Sequence, residues 1–264
     1  MAQYARLEVG GRAEYVQIEG GSYRVLSAAP WEPGVVAGLA QALTPTLSPA
    51  GEKGTGVKWL PVTAASKVVA IGQNYRKHAE EMGKTVPVEP LIFTKPSTAL
   101  NGHEGKILLP AASQEVHYEA EMALVIGKKL TRAPVEEAAA AIFALTCFND
   151  VTARDIQKRE TQHTRAKGYD TFACCGPVMV TGLSPDDLRV MCRVNGVTRQ
   201  DGRTSDMVHK SAQLVSFISH VMTLLPGDLV STGTPSGVGP LQDGDVVEVE
   251  LEGIGVLRNV VTRG

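Results

Sequence analysis

Apolar and polar positions alternate from Met1 to about Ala29, and the alternation is interrupted by the glycine pairs Gly10-Gly11 and Gly20-Gly21. A period of two broken by turn residues predicts a few short antiparallel strands joined by tight turns. Further along, the apolar signal becomes continuous. Val68-Val69-Ala70-Ile71-Gly72 and Ile92-Phe93-Thr94 read as strands, and strand signals recur at 106–109, 116–126, 177–180, 189–195, 229–232 and 246–250. Unbroken runs such as Met122-Ala123-Leu124-Val125-Ile126 suit strands buried on both faces. Two stretches carry helical marks instead: Pro134 to Leu145, with proline at its first position, and Ala212 to Leu224, with Ser211 placed as its cap.

Between the N-terminal strands and the first buried strand, Thr44 to Gly56 is rich in Pro, Gly, Thr and Ser and has too little bulky apolar content for a core element. This predicts a loop and a boundary near Leu60-Pro61. A small β-rich domain would then occupy residues 1–61 and a larger domain residues 62–264. Strands outnumber helices and show no regular βαβ repeat, which places the chain in the α+β class.

The 264 residues carry a formal net charge of −2, giving no overall attraction for nucleic acid or an anionic membrane. No apolar stretch approaches the length of a membrane span and no signal segment opens the chain, so a cytoplasmic protein is expected. Cys147, Cys174, Cys175 and Cys192 lack the paired spacing of a zinc site, and reduced, buried thiols are the expectation.

Chemistry concentrates at Val116-His117-Tyr118-Glu119-Ala120-Glu121. In a strand, Glu119 and Glu121 point to one face, and a third carboxylate from Asp150 would complete a set of hard oxygen ligands for Mg²⁺ or Mn²⁺. The alternative is the solvated face of an amphipathic strand. If the segment from Asp150 turns helically, Asp150, Arg154 and Gln157 follow one another at one-turn intervals toward one cavity. Arg154 offers a planar fork for a carboxylate, or else a local ion pair with Asp150 or Asp155. Thr232-Gly233-Thr234-Pro235-Ser236-Gly237-Val238-Gly239 lacks the Lys-Ser/Thr of a phosphate-binding loop, and reads as a rigid turn able to offer backbone N–H groups to an anion.

Several motifs together resemble the fumarylacetoacetate hydrolase family: Gly72-Gln73-Asn74-Tyr75-Arg76-Lys77-His78, Tyr118-Glu119-Ala120-Glu121, Asn149-Asp150-Val151-Thr152-Ala153-Arg154-Asp155 with Gln157, Arg165-Ala166-Lys167-Gly168-Tyr169-Asp170-Thr171, and Leu225-Pro226-Gly227-Asp228 leading into Thr232-Gly233-Thr234-Pro235. The resemblance implies a mixed β-sheet rolled on itself, a homodimer, and a metal held by Glu119, Glu121 and Asp150. It implies that Arg154, Gln157, Lys167 and Thr234 face the substrate. It also implies that His78 and Glu81 form a pair able to activate water, unless they are an ordinary pair on a surface helix. By itself Lys167 would read as an exposed solubilising lysine. His163 departs from the pattern, since many relatives carry Trp in the corresponding Gln-Trp-Thr. The implied reaction is isomerisation of a 2-hydroxy-dienoate or 2-oxo-enoate such as 2-hydroxyhepta-2,4-diene-1,7-dioate through a metal-stabilised dienolate. The runner-up is C–C hydrolysis of acylpyruvates or fumarylacetoacetate-like acids, with oxaloacetate decarboxylation open to the same site. A module that binds a small 2-oxo acid without turnover is the non-enzyme alternative.

Overall fold

The computed structural model describes residues 1–42 and 58–263. The loop expected over Thr44–Gly56 lies outside the described residues. Strands dominate, arranged in mixed sheets with few helices. Among the described residues, the largest sheet has 12 strands. Its centre runs through Ala173–Val180, Ile142–Asp150, Ala120–Ile126, Leu229–Ser231 and Lys67–Gly72, with Leu91–Pro96 at one edge. Most neighbours are antiparallel, but Leu229–Ser231 runs parallel to Lys67–Gly72.

The alternating N-terminus forms the hairpin strands Gln3–Val9, Arg12–Glu19 and Ser22–Leu26, turning at the two glycine pairs. Gln3–Val9 pairs with Ala173–Val180, so these strands continue the large sheet. A five-stranded sheet built from Val197–Arg203, Arg189–Val194, Val246–Leu251, Gly255–Arg263 and Lys106–Leu109 packs against the central strands. Met122, Leu124, Ile126, Leu145, Cys147, Val190, Val249 and Leu257 fill the layer between them. Ala123, Val125, Ala144, Phe148 and Met179 face a second apolar cluster on the opposite side. Burial on both faces is why these strands read as continuous apolar runs.

The helix expected from Pro134 to Leu145 is shorter. Pro134 is its N-cap and the helix covers Val135–Ala141, after which Ile142–Asp150 is a nine-residue strand. The alanine-rich turns favour helix, whereas β-branched and aromatic side chains follow from Ile142 and find hydrogen-bonding partners in Ala120–Ile126 and Ala173–Val180. The second expected helix spans Ser211–Val221, and its N-cap is Lys210 rather than Ser211. The Gln213 side chain accepts a hydrogen bond from the Lys210 backbone N–H at 3.0 Å. All four cysteines are free and buried. No described helix is long and apolar enough to cross a membrane.

The strand expected over 116–126 is divided at Glu119. Val116–Tyr118 pairs with Thr152–Ala153 and Gly239–Pro240 in a small three-stranded sheet, whereas Ala120–Ile126 belongs to the large one. Glu119 therefore sits where the chain passes between sheets.

Candidate active site

The antiparallel register that sets Ala120 opposite Asn149 also sets Glu119 beside Asp150, whose N–H donates to the Glu119 carbonyl at 2.9 Å. Glu119, Glu121 and Asp150 each offer a carboxylate oxygen within 4.8 Å of the others. They are 5%, 1% and 1% exposed, which excludes the solvated-face reading. The chain thus closes a cluster from the junction residue Glu119, from Glu121 on the strand that follows it, and from the last residue of the neighbouring strand.

Buried carboxylates require positive partners. Lys167, 2% exposed, donates to Glu119 Oε2 at 2.8 Å and to Asp150 Oδ2 at 2.6 Å. It is not a solubilising surface lysine. Lys95, fully buried, reaches the other Asp150 oxygen and the Val151 carbonyl, the latter at 3.1 Å. Arg154 opens the Arg154–Arg159 helix. It bonds Glu119 and Gln157, and its Nε donates to His117 Nδ1 at 3.4 Å. Asp150 terminates a strand, so the expected helical spacing from Asp150 to Arg154 is absent, while Arg154 and Gln157 do share the helix. The ion-pair partner of Arg154 is Glu119; Asp155 instead accepts from Ser113 Oγ at 2.6 Å and the Gln114 N–H at 3.2 Å.

Glu121 is held differently. Ser231 donates to it, as does the Gly233 N–H at 2.9 Å. Gly233 has φ +97°, and a Cβ there would lie 2.9 Å from Asn74 Cβ, so a side chain would disturb this close approach. The glycine-rich turn does offer backbone N–H groups to anions, and the anions are the protein's own carboxylates: Gly233 meets Glu121, and the Gly237 N–H meets Glu81 at 3.1 Å. The Thr234 hydroxyl donates to the Ala120 carbonyl at 2.7 Å and accepts from Gln200 Nε2 at 2.8 Å.

The electrostatics separate the carboxylates. Burial pushes Glu119 up, but the Lys167 ammonium and the Arg154 guanidinium outweigh it and hold the carboxyl well below its usual range. Burial raises Glu121, and the neighbouring Asp150 and Glu119 charges raise it further. Lys167 is desolvated, yet Asp150 and Glu119 keep its pKa above normal. Burial dominates at Lys95 and lowers its pKa despite Asp150. Glu121 thus lacks the cationic contacts that its two neighbours have. Three hard oxygen donors, one short of positive charge, fit a divalent Mg²⁺- or Mn²⁺-type ion.

One pocket is lined by His78, Glu119, Glu121, Arg154, Gln157, Lys167 and Thr234, together with Phe93 and His163. Asp150 and Glu81 join this lining through Lys167 and His78, to which they are bonded. His78 is buried on the Arg76–Glu81 helix, and its Nδ1 lies 3.2 Å from Glu81 Oε2. His78 is thus a buried residue of the pocket wall, while its partner Glu81 is exposed. His163 packs edge-on against Phe93 at 5.1 Å, and the Lys167 ammonium lies 5.1 Å from the centre of the same ring.

Sequence reasoning missed Lys95, Ser231, Thr152 and Gln200. Lys95 carried a signal, being a lysine within the largely apolar strand Leu91–Pro96. Gln200 carried none, because its strand, Val197–Arg203, has no clear period. Its Oε1 nevertheless accepts the Ala120 N–H at 2.9 Å, at the step between Glu119 and Glu121.

Residues 67–262 match the family model described as fumarylacetoacetate (FAA) hydrolase C-terminal. The chain belongs to the fumarylacetoacetate hydrolase family. It is 40% identical to a 2-hydroxyhepta-2,4-diene-1,7-dioate isomerase from Mycobacterium marinum, with a TM-score of 0.84 over 100% of this chain and 99% of the other. A mitochondrial oxaloacetate tautomerase from Homo sapiens is 42% identical over 213 residues, 76% of this chain and 68% of the relative. A fumarylpyruvate hydrolase from Pseudomonas aeruginosa, solved with Mn²⁺ and pyruvate, is 30% identical, with a TM-score of 0.72 over 78% of this chain and 92% of the other. Enzymes of this family include isomerases, tautomerases and hydrolases.

Proposed function

We propose that the protein catalyses divalent-metal-dependent proton transfer at C3 of a 2-oxo acid, isomerising a 2-hydroxy-dienoate or 2-oxo-enoate such as 2-hydroxyhepta-2,4-diene-1,7-dioate. The observation that carries this reading is Lys167, whose buried ammonium bridges Glu119 and Asp150 while lining the same pocket as Glu121 and Arg154. Glu119, Glu121 and Asp150 would hold Mg²⁺ or Mn²⁺, the ion named with the fumarylpyruvate hydrolase being Mn²⁺. When bound, such an ion supplies a Lewis acid that makes the C3 proton of a 2-oxo acid easier to remove.

This chain's residues do the rest. Arg154 has five N–H donors, and those not engaged by Glu119, Gln157 and His117 are available to a substrate carboxylate. Gln157 fixes the plane of that guanidinium. Lys167 lines the pocket as an ammonium whose pKa its carboxylate partners raise, so it would serve as the group that holds a proton and delivers it to the enolate, and a positioned acid–base group contributes about 10²–10⁴-fold to such a step. Thr234, held between Ala120 and Gln200, fixes the wall beside Glu121. Two relatives support the proton-transfer reading, since dienedioate isomerisation and oxaloacetate tautomerisation both move a proton next to a 2-oxo group.

A second reading, C–C hydrolysis of an acylpyruvate, is favoured by the His78–Glu81 pair. Glu81, held by the Gly237 N–H, orients His78, which is placed to take a proton from water. The deciding experiment follows products and C3 deuterium incorporation by NMR for wild type and His78→Ala on oxaloacetate, an acylpyruvate and a 2-hydroxy-dienedioate. Metal-dependent C3 exchange and isomerisation that survive in His78→Ala support the isomerase. Cleavage that is efficient in wild type and lost in the variant transfers the assignment to the hydrolase.

A further inference from the structure

The pocket has a buried end and a solvent end. Glu119, Glu121, Arg154 and Lys167 form the first, whereas Lys84 is exposed and His163 half-buried at the second. Glu119, Asp150 and Glu81 pair with Arg154, Lys167, Lys95 and His78, and Glu121 is held by Ser231 and the Gly233 N–H, so Lys84 has no acidic partner among the described residues. A strongly hydrated lysine that lines a pocket and faces no counter-charge is suited to meet a ligand's anion.

The backbone holds Lys84 in that place. The Arg76–Glu81 helix ends in a tight reversal in which the Gly83 N–H donates to the Glu80 carbonyl at 2.9 Å and the Lys84 N–H donates to the Ala79 carbonyl at 2.8 Å. Gly83 occupies the left-handed region at φ +66°, as this kind of helix ending requires. Lys84 is therefore fixed to the same short helix that carries His78. His163 lines the same pocket, and burial, then the Lys167 and Lys84 charges, lower its pKa. A neutral imidazole there keeps one N–H to donate.

The placement of charge indicates the ligand. Arg154 and Lys167 put cationic donors at the buried end of the pocket and Lys84 puts one at the solvent end. A ligand with a carboxylate at each end can meet both, and a monocarboxylate can meet only one.

Resting on the 2-oxo acid reading above, we infer that Lys84, with His163 beside it, selects dicarboxylate substrates by binding the carboxylate remote from the 2-oxo group. Lys84 is a specificity-determining residue, and the reacting atoms lie at the other end.

The test compares oxaloacetate with pyruvate, which has the same 2-oxo carboxylate end and no remote carboxylate. Dissociation constants are measured by calorimetry on the Mg²⁺-loaded protein, and C3 exchange by NMR, for wild type, Lys84→Met and Lys84→Arg. Wild type should bind oxaloacetate at least about tenfold more tightly than pyruvate, as expected for one charge-assisted contact. Lys84→Met should lose most of that ratio, and Lys84→Arg should keep it. A wild-type protein without the preference, or a Lys84→Met variant that keeps it, overturns the inference. Equal weakening of both ligands also overturns it, because it would show Lys84 acting only on the helix. A Lys84-dependent preference without C3 exchange in wild type would support the role of Lys84 while removing the proposed reaction.

Discussion

Replacing Lys167 by methionine removes one ammonium from between two buried carboxylates. Its Nζ lies 2.8 Å from Glu119 Oε2 and 2.6 Å from Asp150 Oδ2. At an effective dielectric of about 20, each contact is worth roughly 6 kcal/mol of gross attraction. Dehydration of the three groups offsets most of that, and losing one side of a buried pair costs about 3–5 kcal/mol net. Lys95 and Arg154 stay in place, which puts the expected loss near the lower figure, about 3 kcal/mol. The same change removes a cation that competes for the oxygens needed by a divalent ion. Without metal, urea unfolding should therefore show a markedly less stable variant. Saturating Mg²⁺ should recover much of the difference through binding to the folded state alone, and Mg²⁺ should bind more tightly than to wild type. Turnover should nevertheless fall by about 10²–10⁴-fold, because the proton-carrying group is gone. A metal-free variant within about 0.5 kcal/mol of wild type, the size of an ordinary surface substitution, would refute the electrostatic account. Unchanged turnover would refute the catalytic role.

Two further outcomes follow from the same cluster. Glu121 is raised by burial and then by Asp150 and Glu119, so without metal it holds its proton to higher pH than an ordinary carboxyl group. Mg²⁺ binding should therefore be coupled to proton release and weaken as pH falls; calorimetry across pH in buffers of different ionisation heats reads the protons, and none released at any pH would contradict the charge assignment. Lys95→Met should destabilise the protein by about 3–5 kcal/mol, since Asp150 and the Val151 carbonyl lose a fully buried donor. An unfolding midpoint equal to that of wild type would mean that Lys95 does not position Asp150.

The period-two spacing of Glu119 and Glu121 was legible because a face and a spacing are local properties. The division at Glu119 was not, since it depends on Gly239–Pro240 and Thr152–Ala153 pairing with Val116–Tyr118 across long stretches of chain. Local propensity carried the helical reading past Ala141 into Ile142–Asp150, where two flanking strands decide the outcome. The separate, conditional reading that the segment from Asp150 turns helically fails at its first residue, because Asp150 is the last residue of that strand and the helix begins only at Arg154. Lys167 shows the opposite case: composition describes a surface lysine, and only the motif order placed it at the pocket. Lys95 and Gln200 act through partners 55 and 80 residues away, at Asp150 and Ala120, a separation that no spacing rule reaches.

The most direct measurement is the anomalous scattering of Mn²⁺ soaked into crystals of the wild-type protein. One ion should appear with an oxygen from each of Glu119, Glu121 and Asp150 at roughly 2.0–2.3 Å, completed by water toward an octahedral shell. Lys167 should then have given up at least one of its two carboxylate contacts. An ion bound elsewhere, or none at all with Lys167 still bridging Glu119 and Asp150, would contradict the account.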